Sequence, residues 1–236
     1  FEEKGITLIG EKLYQAFIKN YTEKQWGTSA KNLSAEILKR IPVRFDHDNR
    51  YFASAKHQGI PKAGYTKIVE NMLNSNNIEV RLNTSFKDVE SEIEGIKVIY
   101  TGPIDELLNY ELGVLPYRSL RFEHEVLDEE NYQGNAVVNY TEREIPYTRI
   151  IEHKHFEYGT QDKTVITREY PADWKRGDEP YYPINDERNN AMFAKYQEEA
   201  TQNDKVIFCG RLADYKYYDM HVVIERALNV VEEEFK

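Results

Sequence analysis

The chain has 236 residues, 40% of them hydrophobic, enough for one large domain or two small ones around a real core. Its 31 basic against 41 acidic residues leave a formal charge of -10, which excludes a general nucleic-acid binder, because affinity for a phosphate backbone comes from a basic footprint. One cysteine, Cys209, excludes an internal disulfide framework; with FEEKGITLIG too charged for a signal peptide and no run of about 18 apolar residues for a membrane span, a soluble cytoplasmic protein is expected.

Ile9, Leu13 and Phe17 recur at helical spacing with Ala16 and predict a helix over about residues 7–20. The polar aromatic segment YTEKQWGTSAKN is expected to break it. Ser34 reads as an N-cap for AEILKR, which should stop at Ile41-Pro42 because the residue before a proline is pushed out of the helical region. GIPKAGYTKIVENMLNS predicts a turn and a helix that pairs Ile68 with Met72 and Val69 with Leu73. NIEVRLNTS alternates Ile78, Val80 and Leu82 with polar residues and predicts a half-buried strand, and IKVIYTGPID a compact strand closed by Gly102-Pro103. PYRSLRFEHEVL, GNAVVNYT, YTRIIEHKHF and KTVITREYP then alternate in succession, as an antiparallel sheet with one wetter face does. The helical period returns at NNAMFAKYQEEAT, followed by the strand KVIFCG and a helix from Asp219 onward. No internal repeat or low-complexity segment is present.

The commonest catalytic signatures are missing: no GxSxG, HExxH, paired CxxC or P-loop occurs. His153 and His155 would share one face of a strand at a spacing a metal could use, but no obvious third ligand completes the set, so solvated or hydrogen-bonded histidines and no metal are expected. Cys209, among apolar residues at a strand end, reads as a small buried hydrophobe.

Arginines beside aromatics are more informative. Arg40 and Arg44 bracket IPV, Arg118 and Arg121 sit in PYRSLRF, and Arg211 follows a glycine in VIFCGRLADYKYYDM, a strand-to-helix turn suited to an anion. Arg149 would share a strand face with Tyr147, His153 and His155, and a guanidinium fork matches phosphate oxygens. Trp26, next to Gly27, is either a movable wall over a ligand or a loop anchor; the residues alone leave both open.

Taken together, YTEKQWG, KRIPVRF, YFASAKHQGIPKAGYTK, YTGPID, YRSLRFE, QGNAVVNYT, PYTRIIEHKHF, TREYP, GDEPYYPIN and GRLADYKYYDM resemble a bacterial UDP-galactopyranose mutase, in order and over nearly the whole chain. The resemblance implies interconversion of UDP-galactopyranose and UDP-galactofuranose on a reduced FAD, through an adduct between flavin N5 and the sugar, with no catalytic group on the protein. It implies that Arg40 and Arg149 hold the diphosphate. Tyr21 would stack on uracil with Phe17 and Thr22 beside it, and Trp26 would close over the nucleotide on a mobile loop. Tyr51, Tyr182 and Tyr217 would donate hydroxyls around the phosphates, and Asn139 and Glu169 would lie near the sugar or ribose. Arg118, Arg211, Tyr218, Asp219 and Met220 would face the FAD.

The fold implied is mixed α+β: a helical segment over 1–51, part of an FAD-binding α/β domain over 52–108, an antiparallel substrate-binding sheet over 109–185, and the return of the FAD domain over 186–236. The family's opening strand, GxGxxG turn and helix are not in these residues, and Gly5, Gly10 and Gly27 form no such fingerprint. The chain is therefore expected to be a fragment that is inactive alone, retains FAD poorly and associates with itself or with something that fills the gap in the FAD domain, whereas the full-length enzyme would be a homodimer. The same residues also suit a non-catalytic nucleotide-sugar binding module or another flavoprotein of the amine-oxidase type.

Overall fold

The computed structural model describes residues 1–40, 43–48, 50–52 and 54–235, with Glu36, Lys39 and Arg40 as backbone only. It is a mixed α+β protein. In chain order the helices are α1 Glu2–Ile9, α2 Glu11–Leu13, α3 Asn20–Trp26, α4 Tyr65–Leu73, α5 Phe86–Val89, α6 Ile104–Leu107, α7 Glu187–Ala200 and α8 Met220–Glu234. The strands are β1 Val98–Tyr100, β2 Tyr117–Leu127, β3 Val137–Asn139, β4 Arg149–Glu152, β5 Thr164–Asp173, β6 Tyr182–Pro183 and β7 Val206–Phe208. The expected helix stop at Ile41-Pro42 lies outside the described residues.

Contacts gather the chain into two compact units. One comprises Phe1–Thr22, Ala30–Ile93 and Phe122–Glu169, the other Glu23–Ser29, Glu94–Arg121 and Tyr170–Lys236. β2 and β5 each run through both. Among the described residues there are two sheets, a five-stranded one in the order β3-β4-β5-β2-β6 and a parallel pair β1-β7.

The first unit opens with α1, which stops at Gly10 (φ +80°), then α2 and a π-helical stretch over Tyr14–Lys19. The buried contact here belongs to Tyr14 rather than to the Ile9–Leu13–Phe17 stripe, whose Leu13 and Phe17 are exposed. Tyr14 lies so close to Gly5 that a Cβ there would stand 2.6 Å from its ring, with Leu38 behind. The helical path runs into the expected break segment YTEKQWGTSAKN before it stops. Glu23, Lys24 and Gln25 are good helix formers, and α3 ends only where Gly27 takes the left-handed conformation (φ +65°) and its amide donates to Glu23 O at 2.9 Å. Short 3-10 turns follow at Ala30–Asn32 and Ala35–Arg40.

α4 forms where expected, with its apolar residues exposed or half-exposed. The strand expected around residues 78–84 is absent. Ile78, Val80 and Leu82 are exposed and no neighbouring strand supplies a ladder, without which an alternating segment has nothing to pair with. The antiparallel runs do form: β3 pairs β4 with Val138 opposite Ile150, and β4 pairs β5 with Ile151 opposite Thr167. Ile150 and Ile166 are buried on one face, so residues 149 and 169 fall on the other.

The second unit packs Ile104, Leu115, Tyr117, Phe193, Tyr196, Ala200 and Tyr215 into one cluster. Two tyrosines tie it by their hydroxyls. Tyr196 donates to Gly113 O at 2.6 Å and accepts from Leu112 N, and Tyr215 donates to Pro116 O at 2.6 Å. α7 starts at Asp186, whose carboxylate accepts from Asn189 N at 2.7 Å, a satisfied N-cap. β1 and β7 pair in parallel with Ile99 opposite Ile207. Met220, Ile224, Leu228 and Val231 form an exposed stripe along α8.

Candidate functional site

In the first unit, the strand register brings together three residues that are far apart in sequence. Asn139 on β3 lies directly opposite Arg149 on β4, and Arg149 directly opposite Glu169 on β5, so the three form one row across one face of the sheet. Glu169 is buried, and its Oε1 lies 3.0 Å from Arg149 Nε. Arg149 Nη2 donates to the Tyr21 hydroxyl at 3.0 Å. Four candidate residues thus meet: a cation, a carboxylate, an amide and a phenol. Sequence reading missed Thr148, wholly buried, whose hydroxyl lies 3.1 Å from Glu169 Oε1. Its only signal was its place before Arg149 in PYTRII.

Thr22 is buried one position past Tyr21, and Phe17 is exposed on the π-helical stretch. Tyr51 is half-exposed and packs edge-on against Phe52 at 4.7 Å. The side chain of Arg40 lies outside the described residues.

The second unit holds a separate aromatic series. Trp26, the last residue of α3, packs tilted against Tyr182 at 6.3 Å; Tyr182 stacks on Tyr217 at 5.4 Å and 17°; and the Arg211 guanidinium lies 4.9 Å from the centre of the Tyr217 ring. Such a cation over an aromatic face is attracted by the ring quadrupole. Arg211 also donates to the Tyr181 carbonyl.

The residues expected on the cofactor side are mostly engaged within the protein. Arg118 is buried; its Nε donates to Gln25 O at 3.1 Å and its Nη1 pairs with Asp173. The Tyr218 hydroxyl donates to Asp214 Oδ2 at 3.0 Å, and burial together with that carboxylate pushes its pKa up to about 12, so it stays a neutral donor. Arg226 Nε shares the same Asp214 oxygen at 3.2 Å. Asp219 precedes α8, whose first residue is Met220; a helix of this length presents a positive dipole end there.

The strand expected to carry both His153 and His155 ends at Glu152, which is wholly buried; residues 153–156 turn into a 3-10 helix and the two imidazoles part. His153 Nε2 and His124 Nδ1 share the Thr167 hydroxyl at 2.6 and 2.8 Å, and burial, then the neighbouring His124, lowers the His153 pKa. His155 Nε2 lies 3.0 Å from Glu152 Oε2. Among the described residues no group of three or more His, Cys, Asp or Glu could hold a metal ion. Cys209 is buried, and burial raises its thiol pKa. Among the described residues no helix is long and apolar enough to cross a membrane.

The family model described as UDP-galactopyranose mutase matches residues 16–217. The chain is 42% identical over 234 residues to a probable UDP-galactopyranose mutase of Klebsiella pneumoniae, covering 99% of this chain and 60% of that protein. It is 39% identical over 239 residues to a dTDP-fucopyranose mutase of Escherichia coli, covering 98% and 63%, and 33% identical over 243 residues to a UDP-galactopyranose mutase of Mycoplasma pneumoniae, covering 94% and 60%. The chain spans about three fifths of the length of these curated relatives. By the extent of the match and the identity to these relatives, the chain belongs to the UDP-galactopyranose mutase family.

Proposed function

We propose that this chain carries the substrate-binding part of a flavin-dependent mutase that interconverts UDP-galactopyranose and UDP-galactofuranose. The observation that carries the reading is the row Asn139–Arg149–Glu169 with Tyr21 bound to Arg149, in a member of this family. In this reading Arg149 and Arg40 hold the diphosphate, and Tyr21, Phe17 and Thr22 frame the base. Trp26 covers the nucleotide, while Tyr51, Tyr182 and Tyr217 supply neutral hydroxyls and Asn139 and Glu169 lie toward the ribose or hexose. A leaving diphosphate gains most from donors fixed before it departs.

FAD fits the residues present in part. Arg211, held over Tyr217, and the dipole end of α8 at Asp219 and Met220 suit the electron-rich end of a flavin. Arg118 and Tyr218 fit less well as direct contacts, because Gln25, Asp173 and Asp214 already engage their polar atoms. These 236 residues contain no glycine fingerprint for the pyrophosphate, so weak retention of FAD and no turnover are expected of this chain by itself. When bound and reduced, the flavin supplies nucleophilic chemistry at N5. The chain's own tasks are to orient the sugar, stabilise the diphosphate and exclude water. Residues 1–51 would serve a helical domain, 109–185 the substrate sheet, and 52–108 with 186–236 the cofactor domain, in a cytoplasmic homodimer.

A second reading, the pyranose and furanose forms of dTDP-fucose, is favoured by the 39% identity to the Escherichia coli enzyme. The gene product, given reduced FAD, should convert UDP-galactofuranose to UDP-galactopyranose faster than it converts the furanose form of dTDP-fucose. The reverse order exchanges the two readings, and conversion of neither removes both.

A further inference from the structure

We infer that Glu169 is a positioning residue, which fixes the guanidinium of Arg149 for an anionic ligand rather than meeting the ligand itself; the identity of that anion rests on the nucleotide-sugar reading above. The strand register sets Glu169 directly opposite Arg149. Its buried carboxylate lies 3.0 Å from Nε, off the N–H line, so the contact is an ion pair rather than an aligned hydrogen bond. Thr148 holds the acid in turn: its hydroxyl lies 3.1 Å from both Oε1 and the Glu169 carbonyl, and its amide donates to that carbonyl at 2.8 Å. A carboxylate fixed this way has little freedom to turn toward a ligand. The Tyr21 hydroxyl fixes a second point of the guanidinium, at Nη2. Two fixed points define the plane of the fork, and a fork oriented in advance loses less freedom when it meets phosphate oxygens.

The competing role predicts the opposite sign. A carboxylate that merely neighbours a diphosphate site repels the ligand, so neutralising it should tighten binding. A carboxylate that positions the arginine should weaken binding when neutralised. The arginine is the route of the effect, so the effect must vanish when the arginine is gone.

The test is a calorimetric titration with UDP on the wild-type chain, Glu169→Gln, Glu169→Asp, Arg149→Ala and the Glu169→Gln/Arg149→Ala double variant. In parallel, the Arg149 side-chain Nε–H signal is followed by 15N NMR without ligand. Glu169→Gln is expected to weaken UDP binding about tenfold, within the coupling range of contacting residues. Glu169→Asp should restore part of the loss, and Glu169→Gln should change nothing further in the Arg149→Ala background. The Arg149 Nε–H signal should be sharp in the wild type and should shift and broaden in Glu169→Gln, as a guanidinium without its ion-pair partner samples more orientations. Tighter UDP binding by Glu169→Gln, additive losses in the double variant, or an unchanged Nε–H signal overturns the inference. A wild-type chain that does not bind UDP removes the nucleotide reading alone, and the NMR arm still decides whether Glu169 fixes Arg149.

Discussion

The Arg118 guanidinium lies against Gly27 so closely that a Cβ at position 27 would stand 2.8 Å from Nη1 and 3.0 Å from Cζ. The long side chain of an arginine would ordinarily yield, but this one is buried and held by Gln25 O and Asp173. Gly27 also sits at φ +65°, where a side chain costs roughly 1–2 kcal/mol before any clash. Gly27→Ala is therefore expected to destabilise the protein by about 2 kcal/mol and lower its thermal midpoint by roughly 4–8 °C. A midpoint within a degree of wild type would mean that neither the left-handed backbone nor Arg118 opposes a side chain at position 27.

Glu152 carries a pH dependence. Burial alone would raise its pKa, but the amides of Tyr132 and Gln133, the Thr164 hydroxyl and His155 outweigh burial and bring it to about 2. A carboxyl whose pKa is lowered by folding contributes stability that is present above its ordinary value, near 4.5, and lost as pH falls toward 2. The thermal midpoint should fall through that window, and Glu152→Gln should flatten the fall while lowering the midpoint at pH 7. An equal slope in wild type and Glu152→Gln would assign the acid sensitivity to other groups.

Asp105 has the opposite sign. It is buried beside the second unit's core, and burial raises its pKa even though its Oδ2 accepts from Leu115 N at 2.9 Å. Among the described residues its other oxygen has no hydrogen-bond partner. Folding thus favours the protonated acid, and the stability it contributes at low pH is lost as pH rises through the raised pKa. Asparagine keeps an acceptor for Leu115 and mimics the neutral form. Asp105→Asn should raise the midpoint more at pH 7 than at pH 3, below the carboxyl's ordinary value of 3.8; a difference independent of pH would show that folding does not shift this carboxyl.

What the sequence made legible follows from the range of the interaction. Strand alternation is local, so β2, β4 and β5 were readable, and register then carried Asn139, Arg149 and Glu169 into one row without further information. The strand expected around 78–84 failed because alternation says nothing about whether a partner strand lies alongside. The break expected over YTEKQWGTSAKN falls at Gly27 rather than at the start of the segment: helix formers carry the backbone that far, and the glycine that ends α3 also serves a contact with Arg118, ninety-one positions on. The engagement of Tyr218 by Asp214 and of Glu169 by Thr148 depends on side-chain geometry that spacing does not encode.

The series Trp26–Tyr182–Tyr217 separates packing from ligand binding within one residue. The Tyr182 ring stacks on Tyr217 and touches Trp26, whereas its hydroxyl is the group proposed for the phosphates. Tyr182→Phe keeps the ring, so the near-ultraviolet signal of Trp26 should stay as in wild type, while UDP affinity falls by the value of one hydrogen bond to a charged group, about 1.5–3 kcal/mol. Tyr182→Ala removes the stack as well, and both the Trp26 signal and UDP affinity should change. If Tyr182→Phe binds UDP as tightly as wild type, the tyrosine supports Trp26 and Tyr217 by its face alone, and the phosphate donors must be sought on Tyr51 and Tyr217.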